Sequence, residues 1–148
     1  MTVELLPALV GDKAVLRRLL QFYHYDFSEW NGDDVDDHGE FDHQYFDHYW
    51  TDPNSHPFLI QRTGRWAGSV LVRTEGVSGM SEFFVMRKYR GAGVGREAAR
   101  RVFARFPGPW RIRQLHRNDA ATAFWRAVIP AGYEETVTEE GTVQRFTI

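Results

Sequence analysis

The sequence predicts a mixed α/β domain, and three observations lead to that fold class. The chain has 148 residues, of which 43% are apolar and 26% charged, as expected for one soluble globular domain covering residues 1–148. Short apolar segments predict strands, and longer segments with apolar residues at three- and four-residue steps predict helices. The two patterns alternate along the chain, which is typical of helices packed on a sheet.

The N-terminal half predicts a strand, two helices and a strand hairpin. In the first helix, apolar residues recur at three- and four-residue steps from Leu16 to Phe27, and Asp12 is a suitable N-cap. The pair Thr63-Gly64 predicts the tight turn of the hairpin. The predicted elements are a strand at 3–6, helices at 12–27 and 43–50, and strands at 58–61 and 65–73.

The C-terminal half predicts a strand, helix, strand, helix and terminal hairpin. Residues 81–86 are apolar enough to predict a buried central strand. Pro107 and Pro130 end the two helices, because proline cannot continue a helix. The predicted elements are strands at 81–86, 110–115, 133–138 and 142–148, with helices at 94–106 and from Asn118 or Asp119 to 128.

Charge is distributed unevenly along the chain, although the net charge is only −2. Residues 19–61 contain ten Asp or Glu and no Lys or Arg, whereas residues 62–117 contain thirteen Lys or Arg and three Glu. The basic third is suited to phosphates and the acidic third to a cation. The absence of cysteine excludes disulfides, thiolate metal sites and a cysteine nucleophile.

The sequence contains no signal-peptide pattern, no apolar run long enough to span a bilayer and no recognisable nucleic-acid-binding motif. We therefore expect a cytoplasmic protein with neither a membrane nor a nucleic-acid partner. Either a monomer or a homodimer is compatible with the sequence.

The strongest local signal is the loop Arg90-Gly91-Ala92-Gly93-Val94-Gly95 between a predicted strand and helix. Glycine permits close approach of a ligand, and the first amides of a helix are unpaired, so this loop predicts an anion site. A P-loop is excluded because Gly95 is followed by Arg96-Glu97 instead of Lys and Ser or Thr. A dinucleotide loop is disfavoured, because its glycine spacing differs and basic residues follow here.

The loop resembles the pyrophosphate loop of the GNAT superfamily of N-acetyltransferases. That pattern is an arginine or glutamine, two free positions, a glycine, one free position and a second glycine, matched by Arg90, Gly93 and Gly95. The resemblance is specific from about residue 83 to 133 and weak before residue 60. Further matches are Val85 on the preceding strand, Asn118, Ala121 and Phe124 after the next strand, and the turn Ala131-Gly132-Tyr133.

The resemblance implies a mixed central sheet of about six or seven strands flanked by about four helices. The strands that end near Val85 and Leu115 would splay apart to admit acetyl-CoA, the implied acyl donor. The implied cofactor contacts are the backbone of Phe84, Val85 and Met86, the loop residues Arg90, Gly91, Gly93, Val94, Gly95 and Arg96, and the side chains of Asn118, Phe124 and Trp125.

The reaction that the resemblance implies, acyl transfer to an amine, needs a base. Glu82 is the first candidate, three residues before Val85, whose amide is the implied donor to the oxyanion. A structural alternative is that Glu82 pairs with an arginine such as Arg113. His116 is the second candidate base.

At the position of the general acid the chain departs from the family pattern. Many GNAT members carry a tyrosine where this chain has Trp125, which cannot release a proton in catalysis. Tyr133 and Tyr25 are therefore candidate acids, and a thiol with a pKa near 8.5 could also leave without one. The same substitution leaves a second function open, that of a catalytically inactive acyl-CoA-binding or sensor domain.

The acidic third is expected to face the acceptor, a small-molecule or peptide amine. Asp26, Glu29, Asp33 and Asp34 would attract a cation such as an aminoglycoside, a polyamine or a basic peptide.

No metal is expected. The segment at 34–45 begins like a calcium loop but lacks the required final glutamate, and three of its neighbouring histidines recur every five residues, which does not align them on one helical face.

Overall fold

A computed structural model describes residues 2–148. It confirms the predicted strands and the two predicted helices in the C-terminal half. Residues 2–148 form seven strands and three α-helices. In chain order these are β1 (Val3–Pro7), α1 (Lys13–Asn31), β2 (Ser55–Arg62), β3 (Arg65–Arg73), β4 (Gly79–Val85), α2 (Val94–Arg105), β5 (Pro109–Leu115), α3 (Asp119–Val128), β6 (Glu134–Val137) and β7 (Gly141–Thr147).

The strands form two antiparallel sheets instead of one continuous sheet. Their orders are β1-β2-β3-β4 and β5-β7-β6. The sheets meet at one parallel bridge between Ser78 and Trp110, where the Ser78 amide donates to the Pro109 carbonyl at 2.9 Å. Beyond this bridge β4 and β5 diverge, so the predicted splay between the two strands is confirmed.

Helices cover both faces of the first sheet. On one face, Leu16 and Leu20 of α1 are fully buried against Leu59 and Leu71. On the other face, α2 and α3 pack against alternate strand residues such as Val70. Because neighbouring residues of a strand point to opposite faces, one apolar run in β3 serves both cores. Each fully buried Leu or Val contributes about 1.5–3 kcal/mol.

The helical segments differ from the prediction in two places. Helix α1 continues to Asn31, because no helix breaker precedes Gly32. Gly32 has a left-handed backbone (φ 77°) and ends the helix, and its amide donates a hydrogen bond to the Ser28 carbonyl. The helix predicted at 43–50 is instead a single 3₁₀ turn at Phe46–Trp50. The seven residues between the left-handed Tyr45 and Pro53 are too few for a stable α-helix, so residues 2–148 contain three α-helices and not four.

Strand β4 is an edge strand, which corrects the prediction of a buried central strand. It ends the first sheet, and its residues are mostly half-buried. Its apolar side chains pack against helices on both faces, and this explains its composition without a second neighbouring strand. None of the three helices combines the length and apolarity that a membrane crossing would require.

Candidate active site

The divergence of β4 and β5 opens a cleft of about 1360 Å³. Its walls are β4, the end of α1, the glycine loop with the start of α2, strand β5 and helix α3, and it reaches the turn between β6 and β7. A pocket for one drug-sized ligand occupies roughly 300–1,000 Å³. The cleft is therefore large enough for a long ligand together with a second, smaller one.

The glycine loop presents unpaired amides to this cleft. Gly91 and Gly93 adopt the left-handed conformation with φ of 77° and 82°, and Gly93 is the N-cap of α2. The first hydrogen bond of the helix runs from the Glu97 amide to the Gly93 carbonyl at 3.1 Å. The three preceding amides have no acceptor within the helix and mark an anion site. They belong to Val94, Gly95 and Arg96.

Gly95 has a packing role besides its amide. A Cβ atom there would lie 3.1 Å from the Phe124 ring, so the absence of a side chain lets the start of α2 approach α3. The close approach holds the amide row beside the Phe124 ring in the wall of the cleft.

The edge of β4 faces the cleft through every second residue. The Met86 amide donates to the Ala67 carbonyl of β3 at 2.8 Å, so the backbone groups of Met86 and Phe84 point into the sheet. The groups of Phe83 and Val85 point to the cleft, where the Val85 carbonyl accepts from Arg90 Nε at 2.7 Å. This corrects the expected cofactor contacts: the Val85 amide is available, whereas those of Phe84 and Met86 are not.

Two of the residues expected to touch the cofactor arm also have structural roles: Asn118, the N-cap of α3, and Trp125 within that helix. Asn118 is 8% exposed, and its side-chain oxygen caps α3 by accepting from the Ala121 amide at 3.2 Å. Its NH₂ group has no hydrogen-bond partner among the described residues and is available to a ligand. Trp125 is 6% exposed and packs edge-on against Phe83, so it forms the floor of the cleft rather than a movable contact.

Glu82 lies in the wall of the cleft with its side chain only 12% exposed. A bulge at the register shift opposite Leu71 and Val72 precedes it, and such bulges redirect side chains. Its Oε1 lies 3.3 Å from His43 Nδ1, and Oε2 has no hydrogen-bond partner among residues 2–148. Burial raises the pKa of Glu82 to about 8. The pairing with Arg113 considered from the sequence is absent from the described residues.

Two histidines, His24 and His43, lie beside Glu82, and neither was predicted from the sequence to be functional. His24 of α1 places Nε2 at 2.8 Å from His43 Nδ1. Burial lowers the pKa of His24 and lowers that of His43 to about 4, so both rings are neutral at neutral pH. Gln21 fixes the loop that carries His43, since its side chain bonds both the amide and the carbonyl of Phe41, at 2.7 and 2.8 Å.

Aromatic residues of α1 line the side of the cleft next to Glu82. Tyr23 contacts Phe27 in a stacked pair and Phe84 edge-on, and Trp30 follows along the same helix. Burial, with the Glu82 carboxylate nearby, raises the pKa of Tyr23 and raises that of Tyr49 to about 12. Both phenols therefore stay protonated and are hydrogen-bond donors.

Two candidate catalytic residues do not line the cleft. His116 is exposed, and its Nε2 lies 2.7 Å from the Thr138 carbonyl. Tyr133 is half-buried against the main core. Of the residues considered for proton transfer, Glu82 is the one that lines the cleft.

Only one of the four predicted acceptor-binding acids lines the cleft, and it is paired. The Asp26 carboxylate bonds Arg87 at 2.8 Å and also bonds Arg90. Burial would raise its pKa, but hydrogen bonds from Arg90 and Arg87 outweigh this and lower the pKa. The other three acids, Glu29, Asp33 and Asp34, line a separate shallow depression of about 430 Å³ beside the cleft.

Comparison with known proteins assigns the fold and the family. The model of the acetyltransferase (GNAT) family matches residues 16–128. No curated protein sequence matches the chain.

Three solved structures share the fold at low sequence identity. An acetyltransferase from Thermus thermophilus is 17% identical, with a TM-score of 0.74, over 100% of this chain and 97% of that one. PaiA N-acetyltransferase from Thermoplasma acidophilum, solved with coenzyme A, is 9% identical with a TM-score of 0.67 over 100% of both chains. The ribosomal-protein-S18-alanine N-acetyltransferase from Escherichia coli is 12% identical, with a TM-score of 0.66, over 97% of this chain and 91% of that one.

Proposed function

The chain belongs to the GNAT acetyltransferase family, and from this premise we propose that it transfers the acetyl group of acetyl-CoA directly to a cationic amine. The observation that carries the proposal is the row of unpaired amides at the start of α2 beside the open edge of β4. A row of helix amides is suited to a diphosphate, and an open strand edge is suited to an extended arm with amide groups.

The donor half of the proposed site consists mainly of backbone groups. The amides of Val94, Gly95 and Arg96 would hold the diphosphate, with Arg90 and Arg96 adding positive charge. The Phe83 and Val85 backbone would pair with the pantetheine arm. The Val85 amide would then stabilise the negative oxygen that develops on the thioester carbonyl, because it points into the cleft.

The acceptor half needs a group that removes a proton from the amine. An amine with a pKa near 10.4 is neutral in only about one molecule in 2,500 at pH 7. We assign this role to Glu82. Its side chain lines the cleft near Val85, and its Oε2 has no hydrogen-bond partner among the described residues. The amine nitrogen attacks the thioester carbon, the carbon–sulfur bond breaks, and the thiolate leaves.

A dedicated general acid is not part of the proposal. A thiol with a pKa near 8.5 is an adequate leaving group without one. Trp125 occupies the position where many relatives carry a tyrosine, and Tyr133 does not line the cleft. Turnover is therefore the property that distinguishes an enzyme from an acyl-CoA sensor.

The proposal is tested by combining calorimetry with an assay of thiol release. The purified protein is titrated with coenzyme A and then incubated with acetyl-CoA and an aminoglycoside, a polyamine or a basic peptide. Binding together with amine-dependent thiol release supports the enzyme. Binding without release on any of the amines supports the sensor, and no binding of coenzyme A or acetyl-CoA refutes both.

A further inference from the structure

We propose that His24, His43 and Glu82 form a binding site for one divalent transition-metal ion of the zinc class. By this class we mean first-row divalent ions that favour imidazole nitrogen together with a carboxylate oxygen. The site lies at the junction of α1, the loop before the 3₁₀ turn and β4, and of its three residues Glu82 lines the cleft.

The three donor atoms lie close enough together to share one metal ion after small side-chain movements. All lie within 4.8 Å of one another. His24 Nε2 and His43 Nδ1 are 2.8 Å apart, and His43 Nδ1 and Glu82 Oε1 are 3.3 Å apart. Zinc bonds of 2.0–2.2 Å in a tetrahedral arrangement separate the donors by about 3.3 Å. Small side-chain adjustments would therefore place an ion between them.

Hydrogen bonding alone does not satisfy this group of side chains. His43 Nδ1 has either one proton or one lone pair, yet it lies within contact distance of both His24 Nε2 and Glu82 Oε1. Glu82 Oε2 is buried without a partner among the described residues. A buried carboxylate that lacks a full set of partners is costly, and a cation would satisfy both oxygens and both ring nitrogens.

The electrostatic surroundings favour a cation over a proton-based ion pair. His43 is the only ion-pair partner of Glu82 among residues 2–148, so no arginine or lysine of the described residues neutralises this carboxylate. Neutral imidazoles have the free lone pair that metal binding needs. Asp33 and Asp42 act on His24 with negative charge, and the phenols of Tyr23 and Tyr49 face Glu82 without neutralising it.

The ligands are held in place before any ion binds. His24 and Glu82 are on regular elements, α1 and β4. His43 is on a loop, but the two bonds between Gln21 and the Phe41 backbone attach that loop to α1 one helical turn before His24. The rings of Phe46 and Tyr49 pack against the His43 ring at 5.9 Å. Preorganised ligands of this kind reduce the entropy lost on binding.

Three protein ligands leave one coordination position for water or another small ligand. Because Glu82 is also the proposed base, a bound ion would occupy the carboxylate that should take the proton. We therefore expect the ion to inhibit acetyl transfer and a chelator to restore it. This expectation rests on the proposed function, whereas the metal site itself does not.

The test uses the full chain without a polyhistidine tag, freed of metal by a chelator. Calorimetry with Zn²⁺ and visible absorption with Co²⁺ should both show one ion per chain. His43→Phe keeps an aromatic ring against Phe46 and Tyr49 but removes the ligand. Loss of a residue that only hydrogen-bonds a ligand costs roughly 10–100-fold in metal affinity, so loss of a ligand itself should weaken Zn²⁺ binding by at least about a hundredfold.

His38→Ala is the matched control, because His38 is an exposed histidine of the same acidic segment. It should leave Zn²⁺ affinity unchanged. His24→Gln should weaken binding as His43→Phe does, and circular dichroism should show that both variants are folded. The proposal is overturned if the parent does not bind Zn²⁺, or if folded His24→Gln and His43→Phe bind it like the parent.

The activity arm separates this proposal from the proposed function. If the parent binds Zn²⁺, His43→Phe loses that binding, and the parent shows no transferase activity, the metal site is supported and the proposed enzymatic function is refuted. Transferase activity without Zn²⁺ binding does the reverse.

Discussion

The two halves of the cleft are constructed from different kinds of groups. The donor half is made of backbone amides in one contiguous segment, 83–96, whose orientation is set by strand alternation and by two left-handed glycines. The proposed acceptor half depends on the side chain of Glu82, whose neighbours His24 and His43 come from two other segments. A site made of backbone groups keeps its ligand contacts when side chains change, whereas replacing one member of a side-chain cluster changes what the cluster can bind. We infer that the donor half fixes the common substrate and that specificity resides in the acceptor half.

The halves also differ in how their polar groups are satisfied. Two of the three unpaired amides at the start of α2 belong to Gly95 and Arg96, which are not buried, so water can satisfy them at little cost. Glu82 is 12% exposed, and one of its oxygens has no partner among the described residues. Functional sites are where proteins retain such unsatisfied groups. The acceptor half should therefore respond more strongly than the donor half to single substitutions.

The largest effect is expected from Glu82→Gln, which keeps the shape of the side chain and removes its capacity to accept the proton. General-base catalysis contributes roughly 10²–10⁴-fold, so turnover should fall by about a hundredfold or more. Coenzyme A affinity, measured by calorimetry, should not change. Glu75→Gln, at an exposed glutamate that lines the same cleft and pairs with Arg73, should leave turnover near the parent value. Equal turnover in the two variants would remove Glu82 as the base.

The next effect is expected from Gly93→Asn in the donor half. Asparagine tolerates the left-handed backbone and is a favoured N-cap, so the fold should be retained. Its side chain would accept from the first amides of α2 and compete with the diphosphate, and coenzyme A affinity should fall by roughly tenfold, the equivalent of about one lost charge-assisted hydrogen bond.

Gly64→Asn is the matched control for this change. Gly64 has a similar backbone (φ 75°) in the turn between β2 and β3, with open space around it. Calorimetry should find coenzyme A affinity there equal to the parent. An unchanged affinity in Gly93→Asn would contradict the assignment of the loop to the diphosphate.

A smaller effect is expected where the two halves are joined. Asp26 of α1 bonds Arg87 and Arg90 beside the glycine loop. Because both guanidinium groups are exposed, Asp26→Asn should lower the free energy of unfolding by only about 1 kcal/mol. The pKa of Asp26 is lowered in the folded state, so the difference from the parent should be complete above about pH 5 and disappear as the pH falls through the folded-state value.

Asp47→Asn provides the control for that measurement by urea unfolding. Asp47 pairs with Lys13, but its side chain is 79% exposed, and stability should hardly change. Equal losses at Asp26 and Asp47, or a loss at Asp26 that persists at about pH 2, would show that the Asp26 pair does not link the halves.

The smallest effect is expected from neutralising the exposed acids of the depression beside the cleft, as Glu29→Gln, Asp33→Asn and Asp34→Asn together. These acids are solvated, so they should act only by long-range attraction, which salt screens. For a polyamine acceptor we expect a KM increase of about two- to fivefold at low salt and none at high salt. A neutral amine acceptor should show no change, and an equal increase for both acceptors would exclude electrostatic attraction.

The order of the strands along the chain, the glycine loop and the splayed strands could be predicted, because their signals are local or come from a shared family pattern. The division into two sheets was not predicted. Arg90, Gly93 and Gly95 lie in one short segment. Gly93 adopts a left-handed backbone, which glycine permits because it lacks Cβ, and Gly95 lies in the first turn of α2. The direction of the Phe84 and Met86 amides was predicted wrongly. It depends on which side of β4 the neighbouring strand lies, and the sequence of β4 is the same in either case.

The amino-acid order of residues 83–96 is enough to specify an amide row for an anion, because one strand, two left-handed glycines and one helix start are properties of a short segment. The surroundings of Glu82, in contrast, follow from packing between distant segments. His24 and His43 are 19 residues apart with a loop between them, and their contact depends on Gln21 binding the Phe41 backbone and on α1 packing over β4. Side chains from separate segments meet only through such packing, so no linear spacing of histidines reveals the site.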